Sequence, residues 1–411
     1  MLSGIRLIIA VCIAEVAVMT GFGAFPGLLP TFFAEWQLSN TEAGWINGIY
    51  FGAYMLSVPV LVSLTDRVDP RYVYLFAAAV SGLSSLGFAL LAEGFWTASL
   101  FRALAGVGLA GTYMPGLKAL TDHLPVQSQS RAVAFYTATF SIGSAGSFFF
   151  AGEIAAALDW RWVFGLATIG PVLAFAIVLF LVPPGTAHHT HKPQTALLDF
   201  RPVVRNRSAF AYVLAYSAHN WELFSLRSWI VAFLVFAQGL HPEGVLGKDW
   251  SATTIASLII IVALPSSVLG NEASERFGRR RVVMAVMGAS AVIACLLGLL
   301  APLPPILLIL ICLLYGVTVT ADSASITSGA VAHAGPGQRG ATMAVHSFIG
   351  FAGAFVGPLV FGIVLDLAGG GGQMSAWWLA FVSVGIAVAM GPLALRLLAS
   401  RPANTGQGAS G

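Results

Sequence analysis

Long apolar stretches recur along the whole chain, at 5–34, 42–63, 72–92, 96–118, 129–152, 161–183, 209–237, 251–271, 281–301, 304–330, 340–366 and 375–398. About 20 such residues suffice for a helix to cross a bilayer. In hydrocarbon every backbone N–H and C=O has to be satisfied inside the segment itself, so a stretch of this kind folds as a helix. Charged residues make up 9 % of the chain, against about 25 % in soluble domains. The pattern predicts an all-α membrane protein whose surface meets the lipid bilayer, with no surface for nucleic acid. Cys12, Cys295 and Cys312 fall inside apolar stretches without metal-type spacing, so they read as small core residues. The first stretch has no small-residue cleavage site and is expected to be retained as a helix.

Lys and Arg collect in loops on the cytoplasmic side. With the N-terminus inside, only Arg161 and Lys248 of the 20 basic residues fall outside, while Arg102 and Arg227 lie within apolar segments. Both termini are then cytoplasmic. A missed or extra helix would move every later loop to the wrong side, so the asymmetry supports twelve spans.

The chain also repeats. Glu15 and Glu222 stand 207 positions apart, as do Gly143 and Gly350, Gly146 and Gly353, and Asp159 and Asp366. At an offset of 209, Asp66-Arg67 meets Glu275-Arg276, and Arg71 meets Arg280. The expected organisation is an N-terminal six-helix bundle at 1–183, a cytoplasmic loop at 184–208, a C-terminal six-helix bundle at 209–398 and a tail at 399–411. Parallel repeats about an axis along the membrane normal place a site at their interface, near the midplane.

The seventh segment holds His219, Asn220, Trp221, Glu222 and Arg227 in its middle. A charge at the centre of a membrane helix costs about 2.5–3.5 kcal/mol even on the lenient scale, so such residues face a water-filled cavity or a partner. Two readings of Glu15 and Glu222 stand. Either both face the central cavity and carry protons, or each pairs permanently with an arginine and fixes the packing. Arg227 is five residues from Glu222, off the same helical face, and so points elsewhere, to substrate or to a nearby acid or carbonyl. Two membrane arginines suit an anionic substrate, because the guanidinium binds carboxylate or phosphate through two parallel bonds. His219, Asn220 and Trp221 are expected beside that substrate. Asp322, in a Ser- and Thr-rich run of the tenth segment, is a third proton candidate or part of interhelical hydrogen bonding. Glu153 and His346 are weaker candidates. Pro26, Pro30 and Pro265 are expected to bend their helices.

The loop VSLTDRVDPR at 62–71 and its counterpart GNEASERFGRRR at 270–281 set an acid-Arg pair and further arginines just inside the membrane. Asp66, Arg67, Arg71, Glu275, Arg276 and Arg280 can bridge neighbouring helix ends there and latch one conformation. These loops resemble the signature of the major facilitator superfamily of secondary transporters between its second and third helices. Val62 and Asp69 replace its two glycines in the first copy; the second copy, with Gly278, is the better match. Arg102 with the run Ala105 to Gly111 is similar to that superfamily's helix-four motif. Asp159-Trp160-Arg161-Trp162 resembles the aromatic turn before its sixth helix. The resemblance implies two pseudo-symmetric six-helix bundles, and for Arg102 a part in coupling or substrate binding, with a structural salt bridge to an acid on helix one as the other reading. Helix five carries no Gly-Pro motif of the drug/proton antiporter kind; the Gly-Pro pair here is Gly357-Pro358 in helix eleven. The helix-two arginine of nitrate porters is absent from 42–60.

No enzyme motif survives scrutiny. His219-Asn220-Trp221-Glu222 is not a zinc H-E-x-x-H, and no P-loop or G-x-S-x-G occurs. A solvated loop explains His188, His189 and His191 better than a metal site does. No cofactor or metal is expected. The expected function is proton-coupled symport of a small polar, anionic metabolite by a monomer in a bacterial-type inner membrane. Proton-driven drug efflux is the alternative, and a non-transporting receptor or scaffold is the alternative of another class.

Overall fold

A computed structural model describes residues 4–185, 201–241, 251–335 and 337–399. His188, His189, His191, Lys192, Lys248 and the tail beyond 399 lie outside the described residues. Among the described residues there is no strand. Ten helices are long and apolar enough to cross a membrane: Asn40–Leu64, Pro70–Leu91, Val126–Ala157, Trp160–Leu181, Arg207–Gly239, Ala252–Phe277, Arg279–Leu300, Pro305–Ala332, Arg339–Leu367 and Met374–Leu398. These are spans 2, 3 and 5 to 12. Span 4, Phe95–Thr121, is as long but less apolar, since it carries Arg102, Lys118 and a run of small residues. Span 1 covers 5–36 in pieces: Ile5–Val18, a 3-10 turn at Met19–Gly21, Ala24–Gly27 and Leu29–Trp36. The twelve spans form two six-helix halves.

The helix starts are written in the sequence. Ser39 and Glu42 form a reciprocal capping box at span 2. Asp69, Asp159, Asn206 and Ser251 each accept from backbone N–H groups of the helix that follows. The breaks follow proline where expected: span 1 loses regular helix around Leu28, between Pro26 and Pro30, and span 8 is interrupted at Leu264–Pro265. Span 10 breaks at Asp322, which no proline marks.

Ile9, Leu56, Leu83, Leu90, Leu310 and Ile386 are among many exposed apolar side chains on the outside of the halves. Facing lipid, they need no protein cover. Because successive spans alternate in direction, residues 4 and 399 share one face with the loops at 65–69 and 278. That is called the basic face here, and the opposite one the far face.

Candidate functional site

The halves meet along spans 2 and 11 and along spans 5 and 8. Glycines make the first contact close. A Cβ on Gly44 would stand 2.5 Å from the Pro358 carbonyl oxygen, and one on Gly48 2.4 Å from that of Phe355. At the far face Asp366, ending span 11, reaches into the other half. Its Oδ1 accepts from Asn40 N at 3.1 Å and Nδ2 at 2.7 Å, and its Oδ2 from Thr41 N at 2.7 Å and Oγ1 at 2.6 Å. The carboxylate thus caps span 2 across the interface, where the positive end of the helix favours an anion.

Toward the basic face the two spans part. A cleft of about 480 Å³ opens between them, lined by Tyr54, Met55 and Val58 of span 2, Lys118 of span 4, and Met343 and Ser347 of span 11. An aromatic wall closes its inner end. Phe51 lies 4.1 Å from Phe224, Tyr54 4.2 Å from Phe351, and Phe22 5.6 Å from both Tyr50 and Phe140, centroid to centroid. The wall draws on spans 1, 2, 5, 7 and 11. In sequence only the one-turn spacing of Tyr50, Phe51 and Tyr54 hinted at it.

Behind the wall in the N-terminal half, Glu15 is fully buried. Its Oε2 lies 2.9 Å from the Tyr136 hydroxyl, which is also 3.0 Å from the Tyr113 carbonyl oxygen and 3.2 Å from that of Thr112. A phenol has one hydrogen to give. With a proton on Glu15, the carboxyl donates to Tyr136 Oη and the tyrosine donates onward to a backbone carbonyl, so the cluster accommodates a protonated acid. Arg102 is not the partner of Glu15. Its guanidinium lies over the Tyr50 ring at 4.3 Å and the Phe25 ring at 5.9 Å, and no carboxylate among the described residues is within ion-pairing distance.

The C-terminal half gathers its polar groups around span 7. His219 Nδ1 stands 2.7 Å from Asp322 Oδ1, both side chains buried. Glu222 Oε1 accepts from Ser290 Oγ at 2.7 Å, and Thr318 Oγ1 follows at 3.4 Å from that serine. Tyr216 stacks on His346 at 3.9 Å and more loosely on His219 at 5.8 Å. His346 Nε2 lies 3.3 Å from Thr327 Oγ1. Among the described residues the Asn220 Nδ2 and Trp221 Nε1 atoms are buried without a hydrogen-bond partner. Arg227 faces the rings of Phe140 and Phe224, each at 5.8 Å, and like Arg102 has no carboxylate beside it. The structure therefore joins His219 with Asp322, but neither glutamate with an arginine. Glu153 is exposed on span 5.

At the basic face, Arg71 hydrogen-bonds the Val178 and Leu179 carbonyls at the end of span 6. Arg280 does the same to the Arg396 carbonyl at the end of span 12, at 3.2 Å. Each arginine caps the last helix of its own half. Glu275 near the end of span 8 pairs with Arg279 at the start of span 9, across the Gly278 turn, and Arg276 lies 5.2 Å from the Phe277 ring. Asp66 and Arg67 are exposed. Among the described residues no group of three His, Cys, Asp or Glu side chains converges on a metal position.

The sequence pattern of the Major Facilitator Superfamily matches residues 11–247 and 238–410. Among curated proteins, protein spinster homolog 1 of Bos taurus is 27 % identical over 306 residues, 70 % of this chain and 56 % of that protein. The chain thus spans little more than half the length of such relatives. A second relative is described as the sphingosine-1-phosphate transporter SPNS2 of Xenopus tropicalis. It is 23 % identical over 394 residues, 90 % of this chain and 75 % of that one. Among solved structures, a bacterial homolog of the human lysosomal transporter spinster, inward-facing and unoccupied, superposes with a TM-score of 0.74 at 15 % identity, covering 96 % of this chain and 95 % of that one. The nucleoside transporter NupG superposes with a TM-score of 0.73 at 16 % identity, over 95 % of this chain and 99 % of that one. Those two likenesses bear on the fold; the match along the whole chain bears on descent. The chain belongs to the Major Facilitator Superfamily, whose members are transporters and not enzymes.

Proposed function

We propose that the protein carries an amphiphilic organic anion across the membrane by alternating access, coupled to protons. The observation that carries this reading is the aromatic wall. A small, wholly polar solute gains nothing from a path walled by Phe51, Tyr54, Phe224 and Phe351, whereas an apolar tail fits it. Lys118 at the cleft, paired with Asp122 at 3.2 Å, has ammonium donors left over for an anionic head. The relative described as a sphingosine-1-phosphate transporter handles a molecule of that class. A small polar metabolite is correspondingly a poorer candidate than the charged residues alone imply.

Proton coupling is assigned to Glu15, Glu222 and Asp322. Support comes from the three oxygens around the Tyr136 hydroxyl and from the absence of a cation beside either glutamate among the described residues. Asn220 and Trp221, which lie against span 11 and whose donors are unmet among the described residues, are the substrate contacts of this half. The distribution of basic residues supports cytoplasmic termini in a bacterial-type inner membrane, and the protein is proposed to act as a monomer.

The deciding experiment is a thermal-shift screen of the purified protein, followed by flux in proteoliposomes. A ligand that binds the folded state raises the melting temperature by mass action. A lysophospholipid or sphingoid phosphate should stabilise the protein and move under an imposed pH gradient. Stabilisation only by small dicarboxylates would return the reading to a polar metabolite, and only by lipophilic cations to drug efflux. No flux of any of these classes would favour a receptor or scaffold.

A further inference from the structure

Arg102 raises a question that the transport pathway does not answer. Its side chain is 4 % exposed, a guanidinium keeps its charge in proteins, and none of its five N–H donors bonds a protein atom among the described residues. Its Nε is buried without a partner. The ring faces of Tyr50 and Phe25 meet part of the charge, but they accept no conventional hydrogen bond.

What the guanidinium does touch is a small pocket of about 30 Å³ in the N-terminal half. Ser81, Ser84, Ser85 and Thr112 line it with Arg102. Ser84 spends its hydrogen on the Phe101 carbonyl and Thr112 on the carbonyls one turn back. Among the described residues the hydroxyls of Ser81 and Ser85 have no protein hydrogen-bond partner, and both residues line the space. Phe22 and Tyr50, part of the aromatic wall, also line it. A void this size holds about one or two waters, or one monatomic anion.

We propose that this pocket is a binding site for a halide, chloride in the cell, serving as the counter-ion of Arg102. Every feature needed is present: a fixed buried cation, two hydroxyls without a protein partner, no competing carboxylate and a matching volume. The C-terminal half supplies an internal contrast. Arg227 also lacks an acid, but its cavity of about 20 Å³ is walled by Leu223, Leu226, Ile230, Ile259 and other apolar groups, with no pair of hydroxyls to complete a site.

The test needs no substrate, so its result is independent of the proposed cargo. Purified protein in sodium gluconate is titrated with sodium bromide at constant ionic strength, following the melting temperature, and crystals grown in bromide are examined for anomalous scattering. The expected result is a saturable rise in melting temperature and one anomalous peak beside Arg102. Ser81→Ala and Ser85→Ala, which need not disturb folding, should weaken bromide affinity about tenfold each, the loss expected for one hydrogen bond to an ion. Arg102→Gln should abolish the response. Equal melting temperatures in gluconate and bromide, no anomalous peak at Arg102, or unchanged bromide affinity in both serine variants would overturn the proposal and leave water as the occupant.

Discussion

Asp159 and Asp366 occupy equivalent places in the two halves, yet they cap different kinds of helix. Asp159 accepts from Arg161 N and Trp162 N, at the start of the next span in its own half. Asp366 accepts from Asn40 and Thr41, at the start of span 2 in the other half. The pair of glutamates parts in a similar way. Glu15 has a phenol and two carbonyls around it; Glu222 has a serine and the Tyr315 phenol, with His219 one turn back paired to Asp322 of span 10. Repetition thus delivers the same residue type to the same depth in each half, and the partner decides what it does. For the aspartates, one copy serves its own bundle and the other the interface between the halves.

The largest effects should fall on the glutamates. Glu222→Gln should reduce pH-gradient-driven uptake by roughly tenfold or more, as expected when a group that exchanges protons is lost. Counterflow exchange of labelled for unlabelled substrate should continue. Glu15→Gln should cost less, about two- to fivefold, since the amide still bonds to Tyr136 and losing one hydrogen-bond role costs about 1 kcal/mol. Equal losses in both would mean that the two acids act as one unit and would erase the contrast between halves.

The glycines separate just as sharply. A Cβ on Gly353 would stand 2.1 Å from the Ser217 carbonyl oxygen, whereas one on Gly146 meets only a ring atom of Phe150 at 4.0 Å. Gly353→Ala should therefore destabilise by about 1–3 kcal/mol, the usual cost of overpacking, and Gly146→Ala by no more than about 0.5 kcal/mol. Melting curves of the two variants in one detergent would compare them directly.

Asp366→Asn should loosen the far-face seal by about 1.4 kcal/mol, roughly a tenfold gain of the opened form, because the charge is lost from bonds that are strong for being charge-assisted. Spin labels at Ala34→Cys and Met374→Cys would report it as a growing long-distance population. Asp159→Asn should leave that distribution unchanged and lower stability by at most about 1 kcal/mol, since the amide oxygen can still cap. A matching shift in both would show that the cross-interface cap is not what holds the far face shut.

The twelve spans were legible in sequence because hydropathy, loop charge and repeat all depend on local composition. Span limits agree within two residues at 209–237 against Arg207–Gly239 and at 375–398 against Met374–Leu398, but 251–271 stops six residues short of the end of Ala252–Phe277. The bends at Pro26, Pro30 and Pro265 were equally local. Partnerships across helices were not legible. Asp159 and Asp366 look alike in sequence, and only the packing of span 11 against span 2 sends the second into the other half. Arg102 offered an ion pair with Glu15 on paper. Helix rotation turns its guanidinium to Tyr50 and to a small pocket instead, and rotation leaves no mark in hydropathy. The aromatic wall was missed because its members come from five spans, each looking like ordinary core.

A further small effect comes from the one place where both copies do the same work. Arg71 and Arg280 each carry a guanidinium to the last carbonyls of their own half, those of span 6 and span 12. A cation there satisfies acceptors that have no partner within their helix and complements its negative end. Lysine keeps the charge but not the planar fork. Arg71→Lys should cost about 1 kcal/mol, because that side chain is buried and reaches two carbonyls. Arg280→Lys, bonding one carbonyl from a less buried position, should cost about half as much. If these residues instead latch one half to the other, either change would alter the spin-label distances as Asp366→Asn does. Loss of melting temperature with unchanged distances would place them inside their own bundles, leaving Asp366 as the cap that crosses between halves.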